Sequence, residues 1–437
     1  MLQVLSLDDP DAARFVDRVF SLPEEAARAV DSIIARVRAE GDMALCAFTA
    51  QFDKVQVALD DIAVAKDEID DAYAAVSAEF VAAIRLARQR IFDFHAKKVA
   101  GSWQEVKPDG TVLGQLVRPL ERVGVYVPGG RARYPSSVLM NVVPARAAGV
   151  GEVVMVTPPG PEGKIDPHVL VAAQEAGVDR VFRVGGAQAV AALAFGTKRI
   201  PRVDKIVGPG NVYVTLAKRA VFGVVGIDIL AGPSEVVVVA DETADPRYVA
   251  ADLLAQAEHD PDAQVLLVTT SRDLASRVNE ALQTTFTDLG EPAVITSVLA
   301  HAAVLIAPDM AAAVNWVNRF APEHLELMVA EPFAWLSAIK NAGAVFLGPY
   351  SPVPMGDYIA GPNHVLPTGG TARFFSPLGV EDFIKRINLV SLSPEVFADL
   401  AAPAALLASV EGLSAHRMAV LLRKRGTGFS KEDLRNG

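Results

Sequence analysis

From about residue 123 the chain repeats one phrase: a short β-branched run, a glycine or proline, then a helix-like stretch. "VGVYVP", "EVVMVTP", "RVFRVGG" and "KIVGPG" all follow it, and it restarts after "AGPSE" with "EVVVVAD" (235–241), "AQVLLVTT" (263–270), "AAVLIAP" (302–308) and "AGAVFLGP" (342–349). Alternating strand, glycine turn and helix is the grammar of βαβ units, whose parallel sheet is covered by helices on both faces. Two successive Rossmann-like α/β domains are therefore expected, over 114–233 and 234–377.

The flanks read differently. Residues 23–41 and 66–98 are Ala-rich, mixed in charge and 3.6-periodic, so a helical region over 23–113 is expected to pack on the second α/β domain, behind an N-terminal arm of 1–22. Residues 350–377 are rich in Gly, Pro, Ser and Tyr and read as a functional loop, and 378–437 as a helical tail ending in basic "RKRG". No internal repeat of fixed period is visible.

Composition narrows the function. A net charge of -11 lacks the basic footprint that nucleic-acid or anionic-membrane binding requires, which leaves small molecules and other protein chains as partners. The start "MLQVLSLDDPDAARF" is acidic where a signal peptide is basic, and the longest apolar run, "VFGVVGIDILAGPSEVVVVA", is broken by Asp228, Glu235 and several Gly and Pro. A soluble, cytoplasmic protein is expected. The single cysteine, Cys46, excludes an intrachain disulfide framework and an all-thiolate metal site.

A doubly wound sheet invites a nucleotide at the carboxyl ends of its strands, but no GxGxxG fingerprint is present: "GVGEVV" (149–154) runs into a strand where the helix should start. "VPGG" (127–130) and "VGPGN" (207–211) could offer backbone N–H groups to phosphate, or could simply be tight turns.

The seven histidines can be weighed singly. "LLAQAEHDPD" sets Gln256 and His259 at i and i+3 on one face of a predicted helix end, a spacing that lets two side chains converge on one ion, although glutamine is a poor zinc ligand. Asp357 in "PMGDYIAG" and His364 in "GPNHVLP" sit in the Gly/Pro loop, where polar groups are either solvated or turned into a site. His416 follows Glu411 in "EGLSAHRMA" and reads as a helix-end residue, while His95, His168 and His301 read as core or surface filler. In "APEHLEL", Glu323 and His324 point to opposite faces if extended and into one pocket if Pro322 bends the chain. Their reading stays open on the residues alone.

Taken together, "YVPGGRARYPSSVLMNVVPARAAGV" (126–150), "RVGGAQAVAALAFGT" (183–197), "DKIVGPGNVYVTLAKR" (204–219), "AGPSEVVVVAD" (231–241), "DLLAQAEHDP" (252–261), "APEHLEL", "GDYIAGPNHVLPT" (356–368) and "EGLSAHR" closely resemble histidinol dehydrogenase, in order and over nearly the whole chain. The resemblance implies NAD-linked oxidation of L-histidinol to L-histidine through the aldehyde. It places zinc on Gln256, His259, Asp357 and His416, acid/base chemistry on Glu323 and His324, and NAD contacts at Tyr126, Gln188 and Asn211. Substrate contacts would fall on Ser234, Gln256, His259, His324, Asp357, His364, Glu411 and His416. It further implies a homodimer whose tail, bearing Glu411 and His416, enters the partner subunit's site. Arg131 and Arg133 stand where the resemblance leads one to expect a lysine and a small residue. Two neighbouring readings remain at this stage: a related zinc- and NAD-dependent dehydrogenase of another small polar alcohol, such as a sulfonated diol, and a zinc hydrolase using Glu323 as its base. A metabolite-binding protein without turnover is a third.

Overall fold

The computed structural model describes residues 2–16, 23–129 and 133–424, and these fall into two compact units. The first, residues 1–99 and 119–383, contains both expected parallel sheets. One sheet has five strands, Arg122–Tyr126, Glu152–Thr157, Arg180–Arg183, Lys205–Val207 and Gly226–Ile227. Numbered along the chain, they lie in the order third, second, first, fourth, fifth, all parallel. The other sheet repeats that order with Glu235–Ala240, Gln264–Thr269, Ala303–Ile306, His324–Met328 and Ala344–Leu347. The architecture is thus duplicated without a sequence repeat.

Valines explain the second sheet. In Glu235–Ala240 every residue is buried, with Val236 and Val238 in the core on one face and Val237 and Val239 in the core on the other. A parallel strand covered on both faces has no wet side, so the run shows no polar alternation.

Three expectations about the flanks are corrected. The N-terminal arm contains a sixth strand of the second sheet, Gln3–Ser6, paired in parallel with Ala303–Ile306. The helical region does not take the second domain as its main support: Val30, Ile33 and Val37 of helix Glu24–Glu40 enter the core of the first sheet, against Ala-rich helix Gly186–Phe195. Its long apolar stripe finds a flat partner there, because a helix of alanines lets another helix approach closely. Finally, residues 100–118 group with 384–437 as the second unit. That unit joins strands Trp103–Val106, Val112–Pro119 and Ile384–Ser391 in one sheet and carries helices Pro394–Val410 and Ser414–Lys424. The expected tail is therefore not helical throughout. Its strands are largely exposed, without the apolar alternation that makes a strand legible.

The expected loop at 350–377 has structure of its own, a short helix Val353–Tyr358 and a turn of 3-10 helix at Thr371–Arg373. Helix Ala78–Ala96 braces it: Arg90 Nε donates to the Ile359 carbonyl at 2.8 Å. Among the described residues no helix is long and apolar enough to cross a membrane.

Candidate active site

The polar groups of the second sheet gather at the amino ends of its strands, opposite to where nucleotides sit in open α/β sheets. Glu323 and His324 open strand His324–Met328, and Ser234 and Glu235 open its neighbour, with His324 in register with Val236. Between helix Met310–Phe320 and the strand, Ala321 adopts a left-handed φ of 53° and Pro322 follows, which produces the bend the sequence allowed.

That bend puts both side chains in one pocket. His324 Nδ1 lies 3.5 Å from Glu323 Oε2, and both residues are buried. The backbone of Glu235 holds the pair: its N–H donates to Glu323 Oε2 at 2.8 Å and its carbonyl lies 2.9 Å from His324 Nδ1. A carbonyl can only accept, so the neutral imidazole carries its proton on Nδ1 and its lone pair on Nε2. Nε2 is buried with no hydrogen-bond partner among the described residues and lies 3.9 Å from Asp357 Oδ1. Burial pushes this imidazole down, but the Glu323 and Asp357 carboxylates and the Glu235 carbonyl outweigh it and raise its pKa to about 9.

The remaining candidates divide by place. His364 Nδ1 lies 3.0 Å from the Asp357 carbonyl; burial lowers its pKa, against the opposing charge of Asp357. Gln256 is buried in the last turn of helix Pro246–Ala257, but the helix ends before His259, which is exposed and bonds through its N–H to the Gln256 carbonyl at 3.3 Å. The i, i+3 face is thus a helix end plus a turn. Burial raises the Tyr358 pKa, and the charges of Asp357 and Glu258 add to it, so the His259 turn and the Asp357 helix are electrostatic neighbours. Glu411 and His416 are exposed on the second unit. Among the described residues no group of three His, Cys, Asp or Glu side chains is arranged to hold a metal within this single chain. The donor chemistry nevertheless suits zinc: one amide oxygen, imidazole nitrogen and a carboxylate, beside an orphaned imidazole nitrogen.

Tyr126 ends strand Arg122–Tyr126 of the other sheet and Asn211 follows strand Lys205–Val207, the two strands at its switch point, while Gln188 lies in the first turn of helix Gly186–Phe195, after edge strand Arg180–Arg183. The buried Tyr126 hydroxyl accepts the Gly186 N–H at 3.1 Å, and burial pushes its pKa up to about 12. Gln188 Oε1 is buried and unpartnered among the described residues, while Asn211 caps helix Val212–Val221 through Tyr213 and Val214. Gly208 must be glycine: its φ is +111° and a Cβ would stand 2.1 Å from the Tyr126 carbonyl oxygen. A buried ion pair, Lys218 with Asp228, grips the same residue, with Nζ donating to the Gly208 carbonyl at 3.0 Å and Oδ2 accepting its N–H at 2.7 Å. "VGPGN" is therefore a clamped tight turn beside two helix N-termini, and an orphaned amide oxygen leaves room in its chemistry for a nucleotide. Of "VPGG", Gly130 lies outside the described residues, as does Arg131; Arg133 pairs with Asp166 at 2.7 Å.

Sequence reasoning missed the backbone of Glu235, which no side-chain motif announces, and a buried carboxyl pair, Asp252 with Glu326. The signal for Glu326 was present: "HLELM" puts it on the same strand face as His324, a charge inside an otherwise apolar strand.

The chain as a whole matches known proteins closely. The family model described as histidinol dehydrogenase matches residues 18–424. Histidinol dehydrogenase from Syntrophotalea carbinolica is 50% identical over 428 residues, covering 97% of this chain and 99% of its own, and that from Geobacter sulfurreducens is 51% identical over 419 residues, covering 95% and 97%. The crystal structure of histidinol dehydrogenase from Elizabethkingia anophelis superposes with a TM-score of 0.92 at 36% identity, covering 97% of this chain and 98% of that one. With a family model matching almost all of its length and relatives identical at about half their positions, the chain belongs to the histidinol dehydrogenase family of oxidoreductases.

Proposed function

We propose that the protein oxidises L-histidinol to L-histidine through histidinaldehyde, a four-electron reaction that uses two NAD and one zinc ion per subunit and closes histidine biosynthesis in the cytoplasm. The observation that carries this reading is the imidazole of His324, locked through Nδ1 and presenting an unpartnered Nε2 beside Asp357. A base so held suits removal of a hydroxyl proton in step with hydride loss.

Gln256, His259 and Asp357, with His416 from a second copy, would hold the zinc, which does not change oxidation state and supplies a fixed cationic anchor for the substrate's nitrogen donors. Tyr126, Gln188 and Asn211 would hold NAD, which supplies the hydride acceptor when bound. The chain's own residues do the rest. His324 Nε2 takes the hydroxyl proton as the first hydride leaves the carbinol carbon. Glu323, with Oε2 occupied by the Glu235 N–H, uses Oε1 to take a proton from water as its oxygen adds to the aldehyde. His324, having returned its first proton to the aldehyde oxygen as the hydrate forms, then takes a hydroxyl proton from the hydrate during the second hydride loss, leaving the carboxylic acid, which ionises to the carboxylate. Ser234, His364 and Glu411 contact the substrate in this reading. No thiol is required: Cys46 lies on helix Asp42–Phe52, and burial raises its pKa away from the thiolate.

The homodimer reading is supported by Glu411 and His416, both exposed within their own unit and so available to a second copy. Leu400, Leu406, Leu407, Val410 and Leu413 are exposed on the same helices, an apolar surface that a second copy would cover.

The test is metal removal. Chelator treatment should abolish NADH formation from histidinol and added zinc should restore it, with sulfopropanediol turned over far more slowly. Faster turnover of the diol would assign the chain to another alcohol. Metal-dependent ester or amide cleavage without NAD reduction would make it a hydrolase.

The raised pKa of His324 sets the pH response. The base must be neutral, so kcat/KM for histidinol should climb with pH, about tenfold per unit on the acid side, and level off near or below pH 9. Glu323→Gln removes a charge that raises this pKa and should move the limb to lower pH. A profile flat from pH 6 to 10 contradicts His324 as the base.

A further inference from the structure

Two acidic side chains that this mechanism does not use meet beneath the site. Asp252 lies one turn before Gln256 on helix Pro246–Ala257, and Glu326 lies two residues along the strand from His324. Both are buried, at 9% and 1% exposure; Glu326 Oε2 finds no donor among the described residues, and the neighbouring Asp252 carboxyl is the group that bears on it. Ionised carboxylates only accept, so the contact requires one of the two to keep its proton. Burial pushes both pKa values up, and the charge of Asp252 raises Glu326 further. The other end of Glu326 is committed. Its Oε1 accepts the Val353 N–H at 2.8 Å, at the start of the short helix that carries Asp357. A buried line of groups, Asp252 beside Glu326 and Glu326 bonded to Val353, therefore runs from the helix leading into Gln256 and His259 to the helix bearing Asp357. Glu326 registers both against His324 through their common strand.

We infer that Asp252 and Glu326 are positioning residues, whose shared contact sets the Gln256–His259 turn and Asp357 at the spacing their joint ligand needs. The inference rests on the reading of Gln256, His259 and Asp357 as a zinc-holding set. It makes the site preformed before the ion arrives, which is what outer partners of metal ligands contribute.

The test compares the full-length wild type with Glu326→Gln, Glu326→Leu and Asp252→Ala. Two readouts are taken on chelator-stripped protein: zinc affinity by competition with a chromophoric chelator, and amide hydrogen exchange over 254–259 and 353–358. In Glu326→Gln the new amide donates to the Asp252 carboxylate while its oxygen still accepts from Val353, so both readouts should stay within about threefold of wild type. Glu326→Leu severs both links and Asp252→Ala severs one; each should weaken zinc binding roughly 10–100-fold. Exchange should quicken about tenfold or more, over both segments in Glu326→Leu and over 254–259 in Asp252→Ala. Should Glu326→Leu not fold, Asp252→Ala, at the less buried member, decides the matter. Unchanged affinity and exchange in Asp252→Ala, or a Glu326→Gln variant as impaired as the leucine, overturns the inference. A wild type that binds no zinc defeats the metal reading instead, and the exchange data still decide whether the pair orders these segments.

Discussion

His324→Asn should lower kcat for both hydride steps by roughly 10²–10⁴-fold while leaving KM for histidinol nearly unchanged. Asparagine is the informative replacement because its amide can still donate to the Glu235 carbonyl, as Nδ1 does at 2.9 Å, and deletes only the Nε2 face. The loss then reports the missing base and not a collapsed pocket. Both steps suffer, since each removes a hydroxyl proton, first from the alcohol and then from the aldehyde hydrate. Stopped-flow measurement of each half-reaction, with a melting curve to show that the variant folds, checks this. A kcat within tenfold of wild type would mean that His324 is structural.

Glu323→Gln should separate the two halves. Gln can keep an oxygen on the Glu235 N–H, so the 2.8 Å clamp survives, but it cannot take a proton from water. Oxidation of supplied histidinaldehyde should slow by about 10²-fold or more, and oxidation of histidinol to the aldehyde by less than about tenfold. Losses of equal size would show that Glu323 serves both steps through its charge on His324, and the separate role for water activation would be withdrawn.

The amino-acid order carries the sheets and the buried Glu323–His324 pair well, because both are local. A β-branched run closed by glycine declares its strand within ten residues, and Glu323 stands beside His324 with a proline to bend the chain. What it does not carry is long range. Gln3–Ser6 finds its partner at Ala303–Ile306, and nothing in four residues says so. Residues 103–119 have no buried face to impose an alternation, which hides their pairing with a strand near 390. The side of the sheet that holds the site was misleading for a physical reason. The carboxyl-end rule describes where helix N-termini and glycine turns greet phosphate, and Gly208 and Asn211 stand at that end of the first sheet. In the second sheet the candidate groups are a strand's first residues and a helix's last turn, which lie toward the amino ends. The pairing of Asp252 with Glu326 was invisible for another reason: two carboxyls 74 positions apart become a pair only once a strand and a helix are packed together.

The account turns on four electrons leaving one substrate in one active site. It is tested most directly by incubating zinc-loaded protein with excess NAD and a limiting, weighed amount of L-histidinol, following NADH by its near-ultraviolet absorbance to completion. Two NADH per histidinol, with L-histidine as the product, is the predicted result. One NADH per histidinol, with the aldehyde accumulating, would contradict the role given to Glu323 and end the four-electron reading.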